Sequence, residues 1–264
     1  MDMIEEKFKV LKEKNESALI LYFTFGFPTV EKSTQCIVKI ARAGADIIEI
    51  GIPFSDPVAD GKTIQHASFT ALKNGVNLEI ILKKLSGLRL NIPVIVMSYL
   101  NPILSFGVEK FFKRISDAGV SGVIIPDLIA EESHRFKKIG ESNSIVLIQL
   151  IAPTSGHQRI KKIGDCSDGF VYCVTVTGVT GARKKLPVSL KRFVKRVKLI
   201  VGKPVVAGFG ISTPEQVKEI SKFADGVVIG SRIIEAVRNR ENLTELIKRF
   251  KNATIRREEA KCSL

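Results

Sequence analysis

Residues 45–65, ADIIEIGIPFSDPVADGKTIQ, contain the pattern that decides the fold. The run 46–50 is short, mostly apolar and bounded by glycines, and this pattern predicts a buried strand. Glu49 lies near the carboxyl end of the run, where an ionised carboxylate is costly to bury unless its pKa shifts or it gains a partner. A proline-containing loop follows the strand and carries a second carboxyl group, Asp60, directly before Gly61.

One carboxyl group at a strand end and another in the next loop suit acid–base chemistry at the mouth of an α/β barrel. A structural alternative exists for each group. Glu49 can be an edge residue that faces water, and Asp60-Gly61 can be an ordinary turn. Because the strand is otherwise apolar, and because barrel enzymes place catalytic groups at strand ends, both interpretations stay open at this point.

Strand and helix patterns alternate along the whole chain. The predicted strands are 19–24, 46–50, 93–98, 121–126, 144–150, 169–174, 204–207 and 225–229. Helical patterns cover 29–43, 63–72, 78–88, 108–118, 131–139, 157–163, 188–200, 213–223 and a last region that ends near 251, whereas 99–102 is predicted as a loop. An amphipathic helix over 2–14, with Ile4, Phe8 and Leu11 on one face, is expected to cap one end of the fold.

Alternating strands and helices predict a parallel sheet. Eight such units in 264 residues match the size of a (β/α)₈ TIM barrel, so we expect one α/β barrel domain over 1–264 with an extra N-terminal helix. A doubly wound open sheet is the alternative. It is weakened because no glycine-rich dinucleotide fingerprint follows the first predicted strand.

The composition restricts the partners. The 41 Lys and Arg against 27 Asp and Glu give a formal net charge of +14, which attracts anions. No zinc-finger pattern or aromatic-interleaved basic motif is present, so nucleic-acid binding is not expected. The cysteines and histidines have no metal-ligand spacing, and no apolar run reaches the ~20 residues of a membrane span. We therefore expect no metal, no membrane partner and a cytoplasmic location.

Glycine-rich turns follow each of the last three predicted strands, at 178–181, 208–210 and 230–231. Glycine lets backbone N–H groups approach an anion, and a helix N-terminus adds unpaired donors. In barrels the usual phosphate site lies at the loops after strands seven and eight. Tight turns needed only for chain reversal are the structural alternative, but three in consecutive units favour a small phosphorylated substrate.

Four motifs together resemble the tryptophan synthase alpha subunit family. They are PFSDPxADG at 53–61, YxxxxTGVTG at 172–181, GFGIS at 208–212 and DGVVIGS at 225–231. The resemblance covers nearly the whole chain. It implies a lyase of tryptophan biosynthesis that cleaves indole-3-glycerol phosphate to indole and glyceraldehyde 3-phosphate without a cofactor.

The resemblance also assigns roles to residues. Glu49 would be the general acid–base, and Asp60 would stabilise the indole N–H as positive charge develops. The phosphate would lie on the amides of Gly181, Phe209, Gly210, Gly230 and Ser231, beside Thr180. The indole would lie among Tyr22, Ile64, Met97, Ile124, Tyr172 and Phe209.

The implied partner is a pyridoxal-phosphate-dependent tryptophan synthase beta subunit, usually in complexes of two alpha and two beta chains, which receives the indole. Two loops match the family's interface with that subunit, through Pro53, Asp56, Pro57, Asn101 and Pro102. Residues 177–186 match a lid over the substrate. Two alternatives remain from the sequence: an activator of the beta subunit without turnover, and a lyase that works without a partner.

Overall fold

The computed structural model describes residues 3–174, 188–208 and 210–256. Eight parallel strands, each paired with the next in sequence, close into a barrel when the last pairs with the first. The strands are β1 Ala18–Thr24, β2 Ile47–Gly51, β3 Val94–Met97, β4 Gly122–Ile124, β5 Val146–Ile151, β6 Val171–Val174, β7 Val205–Gly208 and β8 Gly226–Ile229. The predicted TIM barrel is therefore confirmed, and the open sheet is excluded.

Helices surround the barrel. They are α1 Met3–Glu13, α2 Val30–Ala43, α3 Lys62–Lys73, α4 Leu78–Ser86, α5 Leu100–Phe106, α6 Val108–Asp117, α7 Ser133–Ser142, α8 His157–Cys166, α9 Val188–Ile200, α10 Pro214–Ser221, α11 Ser231–Arg238 and α12 Leu243–Ala253. Within the described ranges, no helix combines the length and apolarity needed to cross a bilayer.

Two faces of the strands build two apolar clusters, because successive side chains in a strand point to opposite sides. The larger cluster lies between the strands and the outer helices. The smaller one fills the barrel interior with side chains from alternate strand positions, such as Ile20 and Tyr22 in β1 and Ile47 in β2. The residue after next in β2 is Glu49, so the strand period places this carboxyl group inside the barrel.

Helix α1 closes the amino end of the barrel, as its amphipathic pattern predicted. Its three buried side chains, Ile4, Phe8 and Leu11, belong to the interior cluster. The rings of Phe8 and Phe170 lie 5.5 Å apart. Side chains of α1 therefore fill the barrel interior at its amino end, and a cavity opens at the carboxyl ends of the strands.

Polar side chains at the amino end accept hydrogen bonds from N–H groups near the start of neighbouring strands. Asp46 accepts from Leu19 N at 2.8 Å, and Asp225 accepts from Val205 N at 2.9 Å. Lys251 in α12 donates to both carboxyl oxygens of Asp46, at 2.8 and 3.0 Å, and to Glu16 at 2.7 Å. This mostly buried ionic cluster ties α12 to the barrel.

Beyond shifts of a few residues at element ends, the structure changes the predicted elements at two places. Residues 99–102 are not a loop, because α5 begins at Leu100, whose N–H donates to Asp127 Oδ1 at 2.9 Å. Pro102 lies in the first turn, where a missing N–H costs nothing. The last helical region is also not continuous but divides into α11 and α12 around 239–242.

We predict that Lys251→Met destabilises the barrel by about 2 kcal/mol, because it leaves the Asp46 carboxylate in a mostly buried position without its cation. Urea unfolding followed by circular dichroism measures the change in the free energy of unfolding. Lys113→Met is the matched control, since Lys113 forms an exposed pair with Asp117 at 3.3 Å. The control is expected to change stability by less than about 0.5 kcal/mol, and equal losses in both variants would contradict the prediction.

Candidate active site

A cavity of about 240 Å³ opens at the carboxyl end of the barrel. Many residues named from the sequence line it: Tyr22, Glu49, Asp60, Ile64, Met97, Ile124, Tyr172, Gly210, Gly230 and Ser231. These residues come from seven strands and the segments that follow them, which the closed barrel brings together. The cavity has apolar walls from strand side chains and two carboxyl groups among them, which suits an apolar ligand with a reactive polar group.

Glu49 lies at the wall of this cavity and is almost fully buried. Its neighbours across the sheet are Tyr22 of β1 and Ile95 of β3. Burial, with a smaller contribution from the nearby Asp60 carboxyl group, raises the pKa of Glu49 to about 8. Glu49 Oε2 has no hydrogen-bond partner among the residues that the structure describes. At neutral pH the group therefore holds a proton that it can deliver to a ligand.

Asp60 reaches the cavity from the loop after β2. The loop is folded tightly there, with Asp60 N–H donating to Pro57 O at 3.0 Å and Ala59 N–H donating to the Tyr99 hydroxyl at 2.9 Å. Burial raises the pKa of Asp60 to about 6, and a hydrogen bond with Tyr99 opposes this rise. The environments of the two carboxyl groups thus separate their pKa values, so that near pH 7 Asp60 is mostly ionised and Glu49 mostly protonated.

Two tyrosines complete the polar lining. The Tyr22 hydroxyl lies 3.2 Å from Thr24 Oγ1. Glycines make room for both phenols, since a Cβ on Gly51 would lie 2.0 Å from the Tyr22 oxygen and a Cβ on Gly208 would lie 2.4 Å from the Tyr172 oxygen. Burial and the two carboxyl groups raise the pKa of both tyrosines well above its usual value. Both phenols therefore stay neutral and can act as hydrogen-bond donors.

The part of the cavity that follows β7 and β8 offers backbone donors. Gly230 caps α11, and Ser231 is its first residue. Because glycine has no capping side chain, a ligand is free to accept from the N–H groups of the first turn, where the helix dipole favours an anion. Gly210 has a φ of +65°, a conformation that other residues rarely adopt. Helix α10 differs, since a capping box of Thr213 and Gln216 occupies its first turn.

Some predicted residues lie outside the described part of the chain. They are Thr180, Gly181, Phe209 and the lid segment 177–186. Gly208 of the predicted 208–210 turn also lines the cavity. Sequence reasoning missed seven further lining residues: Val58, Ala59, Gly61, Leu150, Val174, Ile211 and Val228. The signal for Leu150 was available, because it follows Ile148 at the strand period. In the described ranges, no group of three or more His, Cys, Asp or Glu residues is placed to hold a metal ion.

The loops beside the cavity form a connected layer. The rings of Phe54 and Tyr99 lie 5.2 Å apart and join the loop after β2 to the start of α5, and the bond from Leu100 to Asp127 joins α5 to the loop after β4. Of the residues predicted at an interface, Asp56 and Asn101 are exposed, Pro57 and Pro102 are half-buried, and Pro53 is buried. Large apolar side chains in this layer face solvent: Val58 is 84% exposed, Leu104 52% and Ile129 48%.

Comparison with known proteins places this architecture in one family. The family model described as "Tryptophan synthase alpha chain" matches residues 8–262. The tryptophan synthase alpha chain of Bacillus cereus strain G9842 is 47% identical over 259 residues, 97% of this chain and 99% of the relative. That of Aquifex aeolicus is 44% identical over 257 residues, 95% and 98% of the two chains.

A solved structure gives the same result. A chain of Mycobacterium tuberculosis tryptophan synthase superimposes with a TM-score of 0.90 at 33% identity, covering 96% of this chain and 98% of that one. A family match over nearly the whole length, relatives above 40% identity and a shared barrel agree with the four sequence motifs. The chain belongs to the tryptophan synthase alpha chain family.

Proposed function

We propose that this protein cleaves indole-3-glycerol phosphate to indole and glyceraldehyde 3-phosphate, as the alpha subunit of a tryptophan synthase. The observation that supports this reaction most is the pair of buried carboxyl groups with separated pKa values, about 8 for Glu49 and about 6 for Asp60. The reaction needs one group that gives and takes a proton and one that stays negative beside the substrate.

Glu49 both gives and takes a proton in the proposed reaction, so the proton transfers balance at this one residue. Protonated Glu49 gives its proton to the indole carbon that bears the glycerol chain, which interrupts the aromatic system and places positive charge on the indole nitrogen. The Glu49 carboxylate then takes the proton of the adjacent hydroxyl group, whose oxygen forms the aldehyde carbonyl as the carbon–carbon bond breaks. The bonding electrons return to the ring and restore indole. Glu49 ends the cycle protonated, so no cofactor or net proton is required.

Asp60 acts on the charge that this cycle creates. Its carboxylate would lie beside the indole N–H, where it stabilises the positive charge of the protonated ring more than the neutral ground state. Interactions that strengthen only in the transition state lower the barrier. The partly buried position of Asp60 makes the attraction stronger than it would be in water.

The phosphate would bind at the part of the cavity that follows β7 and β8, on the amides at Gly210, Gly230 and Ser231. Anchoring the phosphate at the start of α11 holds the far end of the substrate and directs the indole toward the apolar walls formed by Ile64, Met97 and neighbouring side chains. Binding energy at the phosphate thereby orients the reacting carbon against Glu49.

The partner would be a tryptophan synthase beta subunit, in complexes of two alpha and two beta chains. The surface formed by the loop after β2, helix α5 and the loop after β4 supports this proposal, because it exposes Val58, Leu104 and Ile129 around the cavity mouth. Exposed apolar groups clustered at one surface mark an interaction site. A partner that covers them would also receive indole directly from the cavity.

The test of this function is release of glyceraldehyde 3-phosphate from indole-3-glycerol phosphate, measured with the purified chain alone and with a beta subunit. Release that increases sharply with the partner is expected. Fast release that the partner leaves unchanged would favour a lyase that works alone. Complex formation without release in either case would replace the lyase with an activator of the beta subunit.

We predict that Glu49→Gln keeps the fold but lowers kcat by about 10³-fold or more, because the amide cannot exchange a proton with the substrate. Glu79→Gln is the control, since Glu79 is exposed and paired with Arg114 at 2.7 Å. The control is expected to keep normal turnover. Turnover of Glu49→Gln near the wild-type rate would remove Glu49 from the reaction.

The raised pKa of Glu49 also predicts a pH-dependent stability cost. Between its ordinary value of 4.5 and about 8, the unfolded chain has lost the Glu49 proton while the folded chain still holds it. Rising pH therefore favours the unfolded state at this site, by up to ~1.4 kcal/mol per pH unit. Glu49→Gln removes this term, so its unfolding free energy relative to wild type should increase from pH 5 to pH 8. Urea unfolding at several pH values tests it, and a constant difference would contradict the raised pKa.

We predict that Leu104→Asp weakens association with a beta subunit by about tenfold or more, because it places a charge in an apolar contact. Leu199→Asp is the matched control, since Leu199 is 88% exposed on α9, away from the loop layer. Isothermal titration calorimetry measures both. Equal affinities of the two variants would show that the partner binds elsewhere.

A further inference from the structure

The side chain of Tyr22 in β1 lies along the cavity wall from the end of β8 to the end of β2. A Cβ on Gly230 would lie 3.1 Å from Cδ1 of its ring, and a Cβ on Gly51 would lie 2.0 Å from its phenol oxygen. Gly51 follows Glu49 by two residues in β2, so it is the next position on the same face of that strand. The Tyr22 hydroxyl group therefore lies beside the strand that carries Glu49, on the side toward the cavity mouth.

A second hydroxyl group holds the phenol in place. Thr24 is fully buried, and its Oγ1 lies 3.2 Å from the Tyr22 oxygen. Within the described residues the Tyr22 hydroxyl forms no other hydrogen bond, although the residue lines the cavity. A phenol can donate and accept at the same time. When Thr24 donates to the phenol oxygen, the phenol proton is free for a ligand, and the bond that the oxygen accepts strengthens the bond that it donates.

The substrate of the proposed reaction would run along the same line as this side chain. Its phosphate would bind at Gly230, beside the first ring atoms of Tyr22, and its reacting carbon must reach Glu49, whose Cα pairs with that of Tyr22. The substrate hydroxyl that gives its proton to Glu49 therefore comes to the same end of the phenol as the Tyr22 hydroxyl. The substrate oxygen gains negative charge as its proton leaves, and a neutral donor beside it stabilises that charge.

The other polar groups of the cavity are less suited to supply this bond. Asp60 is mostly ionised near pH 7 and has no proton to donate, and Glu49 is the group that takes the proton at this step. The second phenol of the lining, Tyr172, starts from β6 on the far side of the barrel. Its oxygen lies at Gly208 of β7 and not at β2.

We propose that the Tyr22 hydroxyl group, oriented by Thr24, is a catalytic hydrogen-bond donor to the substrate oxygen that becomes the aldehyde carbonyl. The phenol keeps its proton throughout. Glu49 takes the proton of the substrate hydroxyl, and the hydrogen bond from Tyr22 stabilises the oxygen while that proton leaves. The proposal rests on the lyase function above and gives Tyr22 a role beyond the contact with indole that the family resemblance implies.

Two ligands that cannot be cleaved test this bond directly. Both consist of indole, a four-carbon chain and a phosphonate group, and only one has a carbonyl oxygen on the chain carbon next to the ring. Isothermal titration calorimetry measures their affinities. Tyr22→Phe should bind the carbonyl ligand about tenfold more weakly than wild type and bind the other ligand equally well. An equal effect on both ligands would overturn the proposal, as would a selective loss in Tyr172→Phe in place of Tyr22→Phe.

Turnover of indole-3-glycerol phosphate tests the role of the two hydroxyl groups in the reaction. Tyr22→Phe should lower kcat by about tenfold or more with little change in KM, because the bond strengthens as the oxygen gains charge. Thr24→Val should cause a smaller loss, which Thr24→Ser restores. The double variant should lose no more than Tyr22→Phe alone, and additive losses would overturn the coupling on which the proposal depends. Thr254→Val is the matched control, since Thr254 is equally buried and donates to Lys251 O at 2.8 Å, at the amino end. Its kcat should match wild type.

The two measurements separate this inference from the lyase function. A selective loss of affinity for the carbonyl ligand in Tyr22→Phe supports the hydrogen bond even if wild type fails to cleave the substrate, which would refute the proposed function alone. Cleavage by wild type, together with equal affinities of wild type and Tyr22→Phe for the carbonyl ligand, would leave the lyase function in place and overturn the inference.

Discussion

The structure depends on keeping a carboxyl group protonatable inside an apolar barrel. A fully ionised Glu49 would be expensive to bury, and a strong cation beside it would hold it ionised. The barrel avoids both by surrounding Glu49 with apolar strand side chains and a second carboxyl group, Asp60. The cost of burial is thereby converted into a raised pKa. The same feature that makes the interior less stable at high pH supplies the proton that the proposed reaction needs.

The buried carboxyl groups at the two ends of the barrel have opposite electrostatic environments. At the amino end, the buried Asp46 carboxylate accepts from the Lys251 ammonium group and from the Leu19 N–H. At the carboxyl end, Glu49 Oε2 has no such partner within the described residues. A carboxylate that is already paired stabilises the fold, but it has no free hydrogen-bonding capacity to offer a ligand. The paired charges therefore lie at the end that α1 closes and to which α12 is tied, and the unpaired carboxyl group lies at the opposite mouth.

The barrel itself was predictable because eight short apolar runs alternate with amphipathic segments, and this periodicity is local. The residues expected around the indole came from the family resemblance, and the strand period explains why Glu49, two residues after Ile47, points into the barrel. Prediction failed where the information is not local. The start of α5 depends on a bond from Leu100 to Asp127, and the restraint on Asp60 depends on Tyr99, 39 residues further along the chain. Neither contact leaves a spacing signal, so only the folded barrel reveals them.

Three consecutive residues of the loop after β2 connect the exposed surface of the protein to the candidate active site. Val58 is exposed, the Ala59 N–H is held by Tyr99, and Asp60 lines the cavity. Because these residues are consecutive, a protein that packs on Val58 also restrains the backbone that positions Asp60. Tyr99 supplies part of the same restraint from inside. A partner at this surface would thus change turnover without touching the substrate, since the position of one carboxylate depends on contacts from both sides of a short loop.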